Sequence, residues 1–313
     1  MSSLLVLAAD QPPQYPVPPY DLSAPSGLSW TFTVLCLVFG AIAIGYGTWL
    51  AVWRREMIGL LMLVSGLLAA TFEPLADLVG VLWFASDNIA ITIELMGRHI
   101  PLYVVVGYMF FFGLISYIDY RAIALGMARK YFLISMATAF GFDWFLQSTG
   151  ASFGLYEYYG NDPFRILGAP VWWFTMDIVS TLLIAYLLFT LRHRLVGWGR
   201  LLVIGIVPVV YAGWNGAAGF PIFIAKNSNF DAAVNGNGST GLVLLGGFIT
   251  IGICAVVAWV VLGEIGRAQE RAGVQIRSQF SLRELLFAPL PRHSESLMQP
   301  VGSPKGSATL QNR

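Results

Sequence analysis

The sequence predicts an all-α, polytopic helical membrane protein with seven transmembrane helices, the N-terminus outside and the C-terminus cytoplasmic. Three observations carry this. Of 313 residues, 57% are hydrophobic and only 11% charged, against about 25% charged in a soluble domain, too little to keep such a surface in water. Seven segments reach the roughly 20 apolar residues that a hydrocarbon core requires, at about 29–53, 57–84, 100–118, 131–149, 171–191, 200–225 and 241–263. Lys and Arg divide three against fifteen between alternate loops and tails, with only Arg98, Arg165 and Lys226 on the poorer side; the richer side is the cytoplasmic one. Barrel-type alternation is missing, and backbone in lipid must satisfy its own hydrogen bonds, which leaves helices.

The same figures exclude a soluble enzyme, a nucleic-acid binder and a disordered scaffold. Net charge is +1, and the two cysteines, Cys36 and Cys254, both fall inside spans, where a thiol serves as a small apolar filler.

In chain order, residues 1–28 form a proline-rich extracytoplasmic tail (QPPQYPVPPY), and the opening MSSLLVLAADQPPQ lacks the basic region of a secretory signal. Residues 29–263 form the seven-helix membrane domain. Residues 264–313 form a cytoplasmic tail, in which Arg267, Arg271, Arg277 and Arg283 among Glu and Gln predict a short amphipathic helix before a disordered end over 303–313. Asn237-Gly-Ser is a glycosylation sequon in an outer loop. Seven spans without an internal repeat argue against two matched inverted halves.

The polar residues inside the spans are all acidic among ionisable groups: Glu73 and Asp77 in span two, Asp143 in span four and Asp177 in span five. Each is costly at that depth and marks a functional site by default. Counted from the outer end of its span, each lies roughly 9–17 Å down, as does Asn215 in span six. Glu73 and Asp77, Asp143 and Gln147, Trp173 and Asp177, and Tyr211 and Asn215 are i, i+4 pairs on single helix faces, and Pro74 interrupts span two between the first pair. Two carboxyls close together in low dielectric cannot both ionise cheaply, and an acid beside a carboxylate is what general acid–base chemistry on a hydroxyl or carbonyl needs. The structural alternative is that the acids cap helices, bond across spans, or pair with Arg98, His99 or Arg165.

The loop GLYEYYGNDPFRILGAPVWW, residues 154–173, is the other marked feature. Its Tyr156, Tyr158, Tyr159, Trp172 and Trp173 suit an interfacial aromatic belt. Its dense Gly and Pro suit equally a lid over the acidic layer, with Glu157 or Arg165 reaching in and the 85–99 loop, carrying Asp87, Glu94 and His99, beside it. Span seven has no lysine for a retinal Schiff base, no phosphate-binding loop or zinc-protease motif occurs, and three histidines are too few for a His-rich di-iron site.

Phe72-Glu73-Pro74-xx-Asp77-xx-Gly80, Pro101-Leu-Tyr103, Tyr158-Tyr159-Gly160-xx-Pro163-Phe164 and Gly168-x-Pro170-x-Trp172-Trp173 together resemble the AveC-like spirocyclases, a family of actinobacterial integral membrane proteins. The resemblance covers about residues 55–225. It implies spiroketal cyclisation or dehydration of a hydrophobic hydroxy-ketone, a polyketide or another lipid, without a cofactor. By depth and chemistry, Glu73, Asp77 and Asp143 are the catalytic candidates. Asp177, Asn215, Tyr156, Glu157, Trp173, Tyr211 and His99 are the candidates for binding a hydrophobic small-molecule substrate, and no metal is expected. The expected partners are that substrate and membrane lipids. A carotenoid or isoprenoid hydratase, a proton-coupled lipid transporter or binding protein, and a structural subunit of a membrane complex are the competing readings. A polyketide made in the cytoplasm would have to reach this outer layer laterally from lipid; otherwise Asp119, at the inner end of span three, is the acid to consider.

Overall fold

The computed structural model describes residues 17–228, 240–279 and 281–291. The opening residues before 17, the Asn237 sequon and the tail from 292 lie outside the described residues.

Six helices are long and apolar enough to cross a membrane. They are α1 (Ser26–Trp53); α2 (Ile58–Ala69) with its continuation α3 (Glu73–Gly80); α4 (Leu102–Tyr108) running through to α5 (Ser116–Ala124); α7 (Val171–Leu191); α8 (Val203–Asn227); and α9 (Thr240–Arg271). The segment expected as span four is also a long helix, α6 (Arg129–Ser152), but Ser135, Thr138, Asp143, Gln147, Ser148 and Thr149 make it more polar than the other six. Span three (α4–α5) and α7 are the most buried, α1 and α9 the least, so the bundle is built around the former pair.

Span two departs from a single rod over 57–84. A 3₁₀ turn, Ala70–Phe72, ends α2, and α3 restarts at Glu73 with Pro74 in its first turn, where a missing N–H costs nothing. The helix stops at Gly80 because Val81 adopts φ 62°. A β-branched residue there is strained by about 1–3 kcal/mol, and it turns the chain into β1 (Leu82–Phe84) instead of a last helical turn. Beyond the helices stand β2 (Ile91–Leu95), β3 (Arg98–Pro101), β4 (Tyr156–Tyr158), β5 (Arg165–Ile166) and β6 (Ala169–Pro170), paired β1–β4, β2–β3 and β5–β6, all antiparallel. A purely α expectation therefore misses three small strand pairs in the loops.

Two glycines set the closest helix crossing. A Cβ on Gly66 of α2 would lie 2.6 Å from the Tyr108 carbonyl, and one on Gly113 would lie 2.7 Å from the Met62 carbonyl. Between α4 and α5, residues Met109–Ile115 are wound as a π-helix, a rare form that is frequent at functional sites.

The C-terminal segment is folded onto the bundle. α9 runs on to Arg271, past the expected boundary at 263, and after a turn α10 (Leu282–Phe287) forms behind a capping box of Ser281 and Glu284. The amphipathic helix expected in the tail is thus divided between the end of α9 and α10. The four last carbonyls of a helix lack internal partners, and side chains of the bundle take all four here. Arg121 Nε donates to Leu285 O (2.9 Å), Tyr46 Oη to Leu286 O (2.7 Å), Arg54 Nη2 to Phe287 O (2.9 Å) and Arg121 Nη2 to Ala288 O (2.5 Å).

Candidate functional site

Three of the four acids converge. Glu73 from α3, Asp143 from α6 and Asp177 from α7 line one recess of about 130 Å3, whose remaining wall is largely aromatic and includes Tyr103, Tyr108, Phe111, Tyr156 and Trp173. All three acids are buried.

Glu73 is held by two phenols. The Tyr108 hydroxyl bonds both Glu73 Oε2 and the Tyr211 hydroxyl, and Tyr211 Oη lies 3.4 Å from the same carboxylate oxygen. Each phenol has one proton, so with Glu73 ionised the chain of donation runs from Tyr211 to Tyr108 to Glu73. The glycine crossing described above brings Tyr108 to this place. Asp143 Oδ1 accepts from Gln147 Nε2 at 3.1 Å, and Gln147 Oε1 accepts from the Tyr158 hydroxyl. The two partners fix the amide orientation, since only its NH2 can serve a carboxylate.

Not every polar atom is engaged. Among the described residues, Asp143 Oδ2, Asp177 Oδ1, Asn215 Oδ1 and both carboxylate oxygens of Asp77 are buried without a hydrogen-bond partner. Most buried polar atoms are paired, so such a concentration in one layer marks it out.

The 154–173 loop covers this layer. β4 pairs with β1 in the register Leu82↔Tyr158, Trp83↔Glu157 and Phe84↔Tyr156. Because successive strand residues face opposite ways, Tyr156 and Tyr158 turn inward and are buried while Glu157 is exposed. Tyr156 Oη donates to Gln147 O at 2.8 Å. Burial above all pushes the Tyr156 and Tyr158 phenols well above their ordinary value, so they remain protonated donors. Asn88 ties this cover to the bundle, giving hydrogen bonds to Ala85 O (3.0 Å) and Leu155 O (2.8 Å) and accepting one from Ser29 Oγ (3.0 Å). Asp162 anchors the far end, accepting from Lys226 Nζ at 2.7 Å and from Trp172 Nε1 at 2.8 Å, all inside the protein. A Cβ on Gly80 would overlap the Trp173 ring, so glycine is needed where the indole closes the recess.

Among the candidates from sequence, Glu73, Asp143, Asp177, Tyr156 and Trp173 line the recess. Tyr211 stands behind Glu73, and Asn215 bonds the Tyr211 carbonyl at 3.2 Å. Asp77 is buried on α3 but is absent from the recess wall. Two candidates lie elsewhere. Glu157 points outward, and His99 stands 3.7 Å from Glu94 on the neighbouring strand. Arg165 also stays outside, donating to the Tyr158 and Gly160 carbonyls. Asp119 accepts from Ser135 Oγ at 2.8 Å, apart from the recess. Tyr108 is the residue that sequence reading missed. It sits six residues into span three, at the depth of the acids, and counting phenols together with carboxylates would have marked it.

A second recess, between α6, α7 and α9, is apolar and lined by Met136, Phe140, Ile178 and Cys254. Comparison of the chain with protein-family models, curated proteins and solved structures finds no match.

Proposed function

We propose that the chain is a seven-span membrane enzyme performing cofactor-independent acid–base cyclisation or dehydration on the hydroxy-ketone end of a hydrophobic substrate. α6 completes the count in this reading. Its 24 residues extend about 36 Å, and its polar side chains serve the recess. The three-against-fifteen split of basic residues places the recess toward the outer face.

The observation that carries the reading is three carboxyl groups from three helices around one aromatic-walled recess, with two of their oxygens unclaimed by protein. One carboxylic acid gives its proton to the substrate carbonyl oxygen while a carboxylate takes the proton of the attacking hydroxyl. A C–O bond forms, and the two groups exchange protonation states. Protonation of the resulting hemiketal hydroxyl releases water, and a second hydroxyl attacks the oxocarbenium carbon and returns its proton. Atoms balance with water as the one by-product, and no oxidant is consumed. Glu73, coupled to two phenols, suits the proton-exchanging role; Asp143, oriented by Gln147, and Asp177 suit the partner roles. A space of about 130 Å3 is close to the roughly 150 Å3 that accommodates benzene in an apolar cavity. It therefore takes the reacting end of a substrate whose remainder lies in lipid.

The test is mass spectrometry of lipid and polyketide extracts from cells carrying the wild type, Glu73→Gln, Asp143→Asn or Asp177→Asn at equal folded yield. Loss of a product and accumulation of a precursor differing by one water are expected in each variant, with a turnover loss of about 100-fold or more. Full turnover in all three would remove the reading, and an unchanged compound shifted between compartments would replace it with transport.

A further inference from the structure

The ionisable side chains of the recess wall are all acidic. Its wall holds Glu73, Asp143 and Asp177 and no Lys, Arg or His. Three cations of the surrounding segments are committed elsewhere: Lys226 to Asp162 at 2.7 Å, Arg165 to lid carbonyls, and Arg98 to Leu82 O at 2.7 Å and the Tyr159 hydroxyl at 2.8 Å. Asp143 and Asp177 are 7% and 4% exposed, and each keeps one oxygen without a partner. Carboxyl groups this deep either keep a proton or take a counter-charge, and among the described residues the bundle provides no counter-charge at the recess.

The shape of the wall says what kind of charge suits it. The three acids come from three different helices, and among the described residues no group of three or more His, Cys, Asp and Glu is placed to hold a metal ion. Between the acids stand the rings of Tyr103, Tyr108, Phe111, Tyr156 and Trp173. Aromatic faces carry negative potential and attract cations too bulky and too weakly hydrated to need oxygen ligands.

We infer that the recess is a receptor for one organic cation on a compact carbon framework, of the alkylammonium class. The oxocarbenium charge that develops in the reaction proposed above is matched by the same wall. The inference rests on that reading only in taking this recess as the working site. It makes the recess a cation-selective pocket whatever bond is made there.

Cys36 lines the recess, whereas Cys254, the second of two cysteines, lines the separate apolar one. A Cys254→Ser protein in nanodiscs therefore reports on the recess through Cys36 alkylation by N-ethylmaleimide. Two matched pairs of probes differ only in charge or headgroup: choline against 3,3-dimethylbutan-1-ol in solution, and hexadecyltrimethylammonium against hexadecan-1-ol in the bilayer. At least one cation should slow alkylation with a half-maximal concentration about ten-fold below that of its neutral counterpart, equivalent to about 1.4 kcal/mol of binding. Trp173→Leu should weaken that protection about ten-fold, and Asp143→Asn with Asp177→Asn should abolish it. Equal protection by the neutral probe, no protection by either cation, or protection that survives loss of both aspartates would overturn the inference. If cation protection fails while the carboxylate variants still stop turnover, the inference falls and the enzyme reading stands. Cation protection with unimpaired turnover in those variants gives the reverse result.

Discussion

Span three carries a polar cluster at each end, and the two are built on opposite plans. At the C-terminal end, Arg121 donates to both Glu56 oxygens at 2.8 and 3.0 Å, Tyr117 donates to Glu56, and the remaining guanidinium donors cap α10. Opposite charges meet, and none of these three side chains is left with a buried unpartnered atom. At the N-terminal end, Tyr108 joins a layer of carboxyl groups of one sign, and several oxygens there have no partner among the described residues. A buried polar cluster that serves structure closes its own hydrogen bonds, because every open one costs about 1–3 kcal/mol. A cluster that stays open forgoes that stability, and the missing partner is the candidate for what the site acts on.

The largest effect should come from breaking the closed cluster. Arg121→Met strands Glu56 and two α10 carbonyls and should cost about 3–5 kcal/mol in unfolding measured in detergent micelles. Glu73→Gln, at the open end, should remain within about 1 kcal/mol of wild type. Equal losses would erase the contrast. Gly80→Ala tests the packing beside the open cluster. Its methyl group meets the Trp173 ring, so a loss of about 1–3 kcal/mol is expected, together with faster Cys36 alkylation as the indole is displaced. An unchanged alkylation rate would show that the indole does not close the recess.

The smallest effect concerns the segment before α1. The Ala24 amide (2.7 Å) and Ser23 hydroxyl (2.5 Å) hold the exposed Asp87 carboxyl below its ordinary value. A lowered carboxyl contributes its stabilisation in full above the unfolded value near about 3.9 and loses it as pH falls through the lower folded value. Hydrogen exchange at residues 17–25, taken relative to the intrinsic rate at each pH, should therefore rise only at the acid end of a titration from about pH 6 to pH 2, without change at Tyr108. Exchange that is flat over the whole range would show that Asp87 does not tether this segment.

Much of the fold was legible from residues alone. Six of seven expected spans appear as helices apolar enough to cross a membrane, and the fourth appears as a helix whose polarity sets it apart. Depth counting brought Glu73, Asp143 and Asp177 to one layer, because a rise of about 1.5 Å per residue converts position directly into height. Depth does not report which side chains meet, however, so it could not separate Asp77, which is absent from the recess wall, from Glu73. The choice between aromatic belt and lid was likewise open until β4 was seen to pair with β1. That pairing makes Tyr156 and Tyr158 inward donors and Glu157 an outward bystander.

Sequence by itself determined that the chain needs a lipid solvent, roughly where its helices run and how far along them its acids sit, since these follow from composition and from helical rise. Tertiary structure decided which acids share a recess, which phenols hold them and which carbonyls cap α10. Those contacts join residues 35 to 240 positions apart, such as Tyr108 with Glu73 and Tyr46 with Leu286. Local pattern cannot encode them, because helix rotation, the Gly66–Gly113 approach and the strained turn at Val81 become definite only when the helices pack.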